Sequence, residues 1–447
     1  PCLMPIDIVR DAAIDVLLRV FERGMHLDLS LDKTLKRRGA EISERGRRFL
    51  TQLVYGTTRH MILCDHVLRA RCTQPLEKLP PPVLMVFRMG VFQSLFLDSV
   101  THPAMVHTSV DLARKRGHIG LAKVANAVLR KCPQRMEDVR LPDPEKDFAR
   151  FLSVRYSLPR WIVDLWIAEQ GRETAEAMAI ASSEQAKTCL RVNTLKTSVE
   201  AIQQDLAASG ILTTKETTLP EELTVVSGDG LTKSKRFQQG HFIVQDPASM
   251  LPALLLEPQP GDRVLDSCAA PGGKTTHIAQ RANNAAHILA MDQSRWRLHK
   301  VVENVERLGI EHVHYVVGDG KNPPIATEFD RVLVDAPCSG LGTLRRHPDL
   351  KWHMNKDAVA RLAEQQKALL RHAVRLCKNN GCIVYSVCTN TRQETRDVVQ
   401  DVLQDGDLVL ENGPEMLHSW QVDSGQYTTH PGGAWDGFFL TRFRKRS

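Results

Sequence analysis

The chain has 447 residues, of which 42% are hydrophobic and 25% are charged. This composition excludes wholesale disorder and collagen-like repeats. No stretch approaches the ~20 consecutive apolar residues of a transmembrane helix, and the first residues carry Asp7 and Asp11 without an apolar run, so we predict no membrane span, no secretory signal and a cytoplasmic location. At ~100–200 residues per domain, the length predicts three domains.

The net charge of +7 is unevenly distributed along the chain. Residues 1–150 contain 25 Lys and Arg against 17 Asp and Glu, whereas the remaining residues contain 34 against 35. A local basic excess is typical of a protein that binds a polyanion, nucleic acid above all. A solvated, soluble surface is the alternative interpretation.

The cysteines predict neither a metal site nor a disulfide framework. No pair of them forms a CxxC motif, and no paired histidines accompany them, so a structural zinc site is not expected. Without a secretion signal, most are expected to be small buried apolar residues. The ten are Cys2, Cys64, Cys72, Cys132, Cys189, Cys268, Cys338, Cys377, Cys382 and Cys388.

The first 140 residues predict an all-α domain. Segments such as IVRDAAIDVLLRVFERG and PAMVHTSVDLARKRG place apolar residues at helical spacing and are separated by Pro or Gly, the pattern of successive amphipathic helices. Basic clusters lie at 36–38, 45–48 and 114–116. Residues 141–240 then predict a small α/β connector, with an amphipathic helix in LPRWIVDLWIAEQG and a strand in CLRVNTLK.

Residues 241–447 alternate short apolar strands with helices. RVLD, HILAMD, HVHYVV, FDRVLVD and GCIVYSV are the predicted strands. This alternation favours a doubly wound, Rossmann-like parallel sheet that helices cover on both faces. Ligands of such sheets bind beyond the carboxyl ends of the strands, so the motifs at those ends are the candidates for chemistry.

The loop after the first of these strands is the candidate cofactor loop. It contains Cys268, Ala269, Ala270, Pro271, Gly272, Gly273 and Lys274. Small residues allow the backbone to approach a ligand, and the following helix presents its positive N-terminal end. The loop matches neither GxGxxG nor the phosphate loop, whose upstream glycine would fall at Cys268.

Four acids follow successive strands: Asp266, Asp292, Asp319 and Asp335. We interpret Asp292 as an acceptor for ribose hydroxyls and Asp319 as an acceptor for an adenine amino group. A nucleoside ligand without phosphates fits this set, and S-adenosylmethionine is the candidate. The alternative is that these acids are helix caps and turn formers.

Two cysteines also follow strands, Cys338 in PCSG and Cys388 in VCT. Parallel neighbouring strands lie ~4.8 Å apart, so both thiols are expected at one pocket, although each is otherwise a typical buried apolar residue. A thiolate that adds to carbon 6 of a pyrimidine makes carbon 5 nucleophilic toward a methyl donor. A second thiol can then assist release of the product.

At these residues the sequence resembles a known family. DSCAAPGGKTTHIA, DAPCSGLGTLRRHPDLKW, VYSVCTN and DGFFLTRF resemble motifs of the RsmB (Fmu/Sun) family of ribosomal RNA 5-methylcytosine methyltransferases, within the NOL1/NOP2/Sun class. HTSVDLARKRGHIGLAKVANAVLRK resembles the NusB-like RNA-binding domain that precedes the catalytic part in that family. CLRVNTLK and HFIVQDPAS match as well, so the resemblance covers nearly the whole chain.

The resemblance implies a role for each motif. Cys388 falls at the nucleophile, Cys338 at the cysteine that assists product release, and Asp335 and Lys274 where the target cytosine is handled. It places S-adenosylmethionine on 268–274, Asp292, Asp319 and Asp335. Three positions depart from the family pattern: Val387 and Leu341 stand where threonine is usual, and Thr395 where asparagine is usual.

The segment after Cys338 carries further polar candidates. Arg345, Arg346, His347 and Lys351 suit phosphates that flank a target base, and Trp352 either stacks on a base or packs in the core. A base in folded RNA must be unstacked to reach such a pocket.

We therefore expect a monomeric methyltransferase that binds S-adenosylmethionine and acts on carbon 5 of a cytosine in small-subunit 16S ribosomal RNA, with no metal, DNA or membrane partner. One alternative is a non-catalytic RNA-binding or antitermination factor with a vestigial methyltransferase domain. Another is a nicotinamide-dependent dehydrogenase, which the missing GxGxxG motif disfavours.

Overall fold

A computed structural model describes residues 7–447, and Cys2 lies outside the described residues together with the rest of residues 1–6. The chain forms two compact units. The first runs to Glu184 and also includes Leu344–Met354, and the second consists of Gln185–Thr343 and Asn355–Ser447. No helix among residues 7–447 is long and apolar enough to span a membrane.

The described part of the first unit is helical up to residue 140, as predicted. Further helices follow in residues 148–183, which the sequence analysis assigned to the connector. Its helices are α1 (Ile8–Arg23), α2 (Leu27–Arg38), α3 (Glu44–Arg59), α4 (Met61–Arg69), α5 (Pro81–Phe96), α6 (His102–Arg116), α7 (Ile119–Leu129), α8 (Phe148–Arg155), α9 (Arg160–Gln170) and α10 (Arg172–Ser183). The Asp7 carboxylate caps α1 by accepting bonds from two main-chain amides, and Gly24 ends the helix in the left-handed region. Leu17, Leu53 and Phe87 are fully buried in the core between α1, α3 and α5.

A small antiparallel sheet opens the second unit. Its elements are β1 (Cys189–Val192), α11 (Val199–Ala208), β2 (Leu212–Thr214), β3 (Glu222–Ser227), α12 (Lys235–Gln238) and β4 (Phe242–Val244), and the strand order is β2-β3-β1-β4. α11 packs Ile202 and Leu206 against this sheet in a cluster with Leu190.

The large sheet follows. Its elements are α13 (Leu251–Leu256), β5 (Arg263–Asp266), α14 (Gly273–Arg281), β6 (His287–Asp292), α15 (Arg295–Leu308), β7 (Val313–Val317), β8 (Phe329–Asp335), α16 (Leu350–His353, in the first unit), α17 (Lys356–Leu376), β9 (Cys377–Val387), α18 (Arg396–Leu403), β10 (Leu408–Leu410), β11 (Gln421–Asp423), β12 (Gln426–Thr429) and β13 (Phe438–Lys445). The strand order is β11-β12-β13-β9-β8-β5-β6-β7, and β10 pairs with β13.

Helices cover both faces of this sheet. In β8, Leu333 packs in the apolar cluster of α13, α14 and α15, whereas Val332 and Val334 pack in the cluster of α17 and α18. Alternate residues of a strand point to opposite faces, so a strand buried on both sides is apolar throughout. β5 to β9 pair in parallel, which confirms the predicted Rossmann-like sheet.

The sheet differs from the prediction at its C-terminal edge. β10, β11, β12 and β13 are antiparallel additions that the sequence analysis did not predict as strands. β13 lies between β9 and β12, and its first six residues are all buried. Because neither face of β13 is solvated there, its sequence FFLTRF lacks the period-2 pattern that identifies a half-exposed strand.

Residues 344–354 pack within the helical unit. The Lys351 Nζ donates a hydrogen bond to the carbonyl oxygen of Arg59 at 2.8 Å, and the Trp352 indole donates to the carbonyl of Thr58 at 3.1 Å. The Asp349 carboxylate accepts a bond from the amide of Leu27 at 3.1 Å. This short segment, which follows the Cys338 loop in sequence, is therefore a structural part of the helical unit.

Candidate active site

The motifs meet at one edge of the large sheet. β5 and β8 are neighbours, and the strand order reverses between them because β6 and β7 lie on one side and β9 on the other. This reversal creates a crevice at the carboxyl ends of the strands. The loops that follow β5 and β8, with Lys274 and Cys338, begin at this crevice.

The loop at 266–274 fits a ligand held by main-chain atoms. Gly272 has a φ of 100°, and a Cβ there would lie 3.0 Å from Cα of Val301, so only glycine is accommodated. Ala269 and Ala270 present only methyl groups, and α14 begins at Gly273 without a side-chain cap. The N-terminal amides of α14 are therefore available to polar ligand groups.

One carboxylate oxygen of Asp266 has no hydrogen-bond partner beside this loop. Its Oδ2 accepts a bond from the Thr275 hydroxyl at 2.7 Å, whereas the fully buried Oδ1 has no hydrogen-bond partner. Burial raises the pKa of Asp266 to about 7; the Thr275 bond opposes this rise, and the nearby charge of Asp335 adds to it. An unsatisfied buried oxygen at a ligand loop is consistent with a polar group of the ligand in that place.

The other acids have different environments. Asp292 is almost fully buried, and its carboxylate accepts bonds from the amides of Ser294 at 2.9 Å and Ala270 at 3.4 Å. Asp292 thus organises the cofactor loop as well as the start of α15, which agrees in part with the turn-former interpretation. Asp319 is exposed, and its carboxylate accepts a bond from the amide of Lys321 at 3.0 Å.

A half-buried ion pair joins the loops after β5 and β8. The Lys274 Nζ lies 2.7 Å from Oδ2 of Asp335, whose Oδ1 accepts a bond from the Ser386 hydroxyl at 3.0 Å. Burial lowers the pKa of Lys274, but the charge and the hydrogen bond of Asp335, together with weaker nearby charges, outweigh burial, and the net pKa is raised. Lys274 is therefore a fixed cation at the crevice.

The two cysteines lie side by side. The Sγ atoms of Cys338 and Cys388 are 3.0 Å apart, and the amide of Cys388 donates a bond to Sγ of Cys338 at 3.3 Å. The hydrogen bond between the thiols raises the pKa of Cys338 well above its usual value, and burial raises it further. The raised pKa favours the protonated form of Cys338, whose thiol lies within hydrogen-bond distance of the Cys388 sulfur.

The sequence analysis did not predict a contact between the small sheet and the first turn of α14. Arg191, at the centre of β1, is fully buried, and its guanidinium donates to Oε1 of Gln245 at 2.5 Å, to the carbonyl of Gly273 at 2.6 Å and to Oγ1 of Thr276 at 2.9 Å. It therefore fixes the first turn of α14, which carries Lys274. The signal in the sequence was an arginine within the apolar run CLRV.

The predicted RNA-contacting residues do not form one exposed basic rim. Arg345 and Lys351 are only 2% exposed, so their expected position beside RNA phosphates is corrected: both are buried within the helical unit. Arg346 is half-buried and His347 is exposed. Trp352 is half-buried and packs edge-on against Phe21, which favours the core interpretation of this residue.

Three family models match different parts of this chain. A model described as 16S rRNA methyltransferase RsmB/F matches residues 253–444, the NusB family matches residues 7–134, and a ferredoxin-like domain of RsmF/B-like methyltransferases matches residues 158–228. The probable ribosomal RNA small subunit methyltransferase B of Bacillus subtilis is 35% identical over 98% of this chain and 99% of its own length.

The chain belongs to the RsmB family. The ribosomal RNA small subunit methyltransferase B of Vibrio cholerae is 32% identical over 100% of this chain and 99% of its own length. The crystal structure of PH0851 has a TM-score of 0.80 at 26% identity, over 97% of this chain and 99% of its own. A methyltransferase homologue from Pyrococcus horikoshii has a TM-score of 0.56 at 28% identity, over 66% and 97%.

Membership of the RsmB family confirms the resemblance drawn from the motifs. It also confirms the order of a NusB-like helical domain followed by a domain with the fold of S-adenosylmethionine-dependent methyltransferases. The family is one of small-subunit ribosomal RNA methyltransferases.

The three departures from the usual RsmB motifs are buried. Leu341 and Val387 are at most 1% exposed, and Thr395 is 4% exposed with its hydroxyl donating to the carbonyl of Thr391 at 2.7 Å. Each side chain thus packs or bonds within the protein.

Proposed function

We propose that this protein methylates carbon 5 of a cytosine in 16S ribosomal RNA, with Cys388 as the nucleophile and S-adenosylmethionine as the methyl donor. The observation that carries the proposal is the 3.0 Å separation of the Cys338 and Cys388 sulfurs beside the Lys274–Asp335 ion pair. The names of the Bacillus and Vibrio relatives support the small ribosomal subunit as the source of the substrate.

The residues that would hold the cofactor are those of the loop at 268–274 together with Asp292, Asp319 and Asp335. Glycine and alanine leave room for the ligand, and the amides of α14 face it. When bound, S-adenosylmethionine supplies a methyl group on a positively charged sulfur. The open Oδ1 of Asp266 and the uncapped start of α14 fit such a ligand.

The two thiols have different roles in the reaction at the base. The Cys388 thiolate adds to carbon 6, which makes carbon 5 an enamine-like nucleophile. After carbon 5 is methylated, its proton leaves to a water molecule, the C5=C6 double bond re-forms, and the Sγ–C6 bond breaks. Cys338 assists because its protonated thiol lies 3.0 Å from the departing sulfur and donates a hydrogen bond to it.

Lys274 and Asp335 handle the cytosine ring in this proposal. A carboxylate accepts bonds from an exocyclic amine, and a fixed cation stabilises the negative charge that develops when a thiolate adds to the ring. A target base must leave its helical stack to reach the crevice. The basic helical unit, with half-buried Arg346 and exposed His347, supplies affinity for the RNA backbone.

A tritium-transfer assay tests the nucleophile. Cys388→Ala abolishes transfer of labelled methyl groups from S-adenosylmethionine to unmodified 16S ribosomal RNA, because no thiolate activates carbon 5. Cys382→Ala, which removes a buried thiol from β9, the strand that precedes Cys388, is the control and retains transfer. Undiminished turnover by the Cys388 variant would refute the assignment.

A gel-shift assay tests the division of roles. Cys338→Ala slows release, so a covalent protein–RNA adduct that resists denaturant accumulates. If no adduct forms, Cys338 does not assist release. Calorimetric titration with S-adenosylmethionine tests the alternative of a vestigial domain, which predicts no binding.

A further inference from the structure

A buried carboxylate lies beneath the two cysteine loops. Glu394 is fully buried at the end of a short 3₁₀ helix after β9. Its Oε1 accepts bonds from the amide of Ser339 at 2.8 Å and from Nε2 of Gln366 at 3.1 Å. Its Oε2 accepts bonds from the hydroxyls of Ser339 at 2.5 Å and Thr391 at 2.9 Å.

Three residues supply these four neutral donor groups: two N–H groups bond Oε1, and two hydroxyls bond Oε2. An ionised carboxylate is an acceptor at every lone pair, whereas an amide of the same shape presents a donor at one end. This site is therefore built for a glutamate. Replacing the carboxylate by an amide puts an NH2 group at the Oε2 position, so the hydroxyls of Ser339 and Thr391 must turn from donors into acceptors, and the buried hydrogen bonds that join the two loops are rearranged.

The partners of Glu394 belong to the loops that carry the cysteines. Ser339 directly follows Cys338, and Thr391 lies in the loop that begins at Cys388. The Ser339 hydroxyl is also 3.0 Å from Oγ1 of Thr389. The carboxylate therefore joins two chain segments that are about 50 residues apart, one following Cys338 and the other following Cys388.

We propose that Glu394 is a positioning residue that holds the Cys338 loop against the Cys388 loop, and thereby controls release of the covalent protein–RNA adduct. This inference rests on the proposed function. Release requires the Cys338 thiol at the departing sulfur, whereas the initial attack on carbon 6 requires only Cys388. Small errors in placement are costly, since about 1 Å can change a rate by ~100-fold.

Glu394→Gln separates these two steps. We expect kcat for methyl transfer to unmodified 16S ribosomal RNA to fall about tenfold, the cost of one badly matched buried hydrogen bond. KM for S-adenosylmethionine stays within about twofold of wild type, since no residue proposed to bind the cofactor bonds to this carboxylate. The denaturant-resistant adduct accumulates to a level between those of wild type and Cys338→Ala.

The matched control is Glu364→Gln, which makes the same chemical change at an exposed site on α17 where Glu364 pairs with Lys367. This variant retains the wild-type kcat and forms no excess adduct. A structural role alone would lower the melting temperature and weaken cofactor binding without trapping an adduct. That result for Glu394→Gln would overturn the inference.

Ser339→Ala provides a second test that removes only one hydroxyl. If Ser339 and Glu394 act through one contact, the two defects in kcat are not multiplicative in the double variant. Multiplicative defects would overturn the inference. Adduct in Cys338→Ala but not in Glu394→Gln counts against positioning by Glu394, whereas no adduct in either variant counts against the proposed function itself.

Discussion

Asp266→Asn is expected to change how the stability of the second unit depends on pH. Asp266 is fully buried, and burial raises its pKa from 3.8 to about 7. Folding therefore favours the protonated acid: its stabilising effect is complete below pH 3.8 and is lost as the pH rises through 7. The difference between the two pKa values corresponds to about 4 kcal/mol of unfolding free energy, at ~1.4 kcal/mol per pH unit.

Most of this change falls in an accessible range. Between pH 5 and pH 8 the wild-type protein loses about 3 kcal/mol through this carboxyl group, whereas asparagine has no proton to lose. Relative to wild type, Asp266→Asn therefore gains about 3 kcal/mol of unfolding free energy between pH 5 and pH 8. Urea titrations at the two pH values, followed by circular dichroism, measure this difference.

Asp330→Asn is the control for the pH measurement. Burial raises the pKa of Asp330, but the bond and charge of Lys378 and the bond from the Arg263 amide together outweigh burial, and the net pKa is lowered. Because the group is then ionised in both the folded and the unfolded state from pH 5 to pH 8, its contribution is constant over that range. A difference between Asp266→Asn and wild type that stays constant over this range would refute the reasoning. So would a change of the opposite sign.

Three further substitutions test other buried side chains and close contacts. Arg191→Lys loses the planar fork that bonds the first turn of α14; thermal melting should show a loss of about 2 kcal/mol, and KM for S-adenosylmethionine should rise. Gly342→Ala places a Cβ 1.9 Å from the carbonyl oxygen of Gly437, so melting should show destabilisation of about 2 kcal/mol. Lys351→Met removes a buried amine. Burial lowers the pKa of this amine, and the nearby charge of Arg59 lowers it further. The melting temperature of the variant relative to wild type should rise as the pH falls from 9 to 6, because the wild-type protein must then bury a cation.

The fold was largely predictable because its patterns are local. The helices of the first unit follow from apolar spacing and from caps such as Asp7 and Gly24. The parallel strands follow from short apolar runs between helices. β13 was missed because the buried polar residues Thr441 and Arg442 interrupt its apolar run, and its pairing with β9 joins segments about 50 residues apart in sequence.

The proximity of the two cysteines was predictable, because the carboxyl ends of neighbouring parallel strands lie side by side. Parallel pairing brings the ends of β8 and β9 together, and thus Cys338 beside Cys388. The role of Glu394 was not predictable, because a buried charged side chain in a polar segment looks like an exposed one. Arg191 left only the signal of its position within the apolar run CLRV. Lys351 is a further example, because the sequence analysis expected this cation at the surface and the structure buries it.

The discontinuity of the helical unit has a consequence for biosynthesis. Its final segment, Leu344–Met354, is separated from Glu184 by the small sheet and the first four strands of the large sheet. During translation the helices emerge first, but the partners of the Arg59 carbonyl and the Leu27 amide arrive only after β8 has been made. A fragment that ends at Glu184 therefore lacks part of its own interior, and completion of the helical unit is linked to synthesis of the loop that carries Cys338.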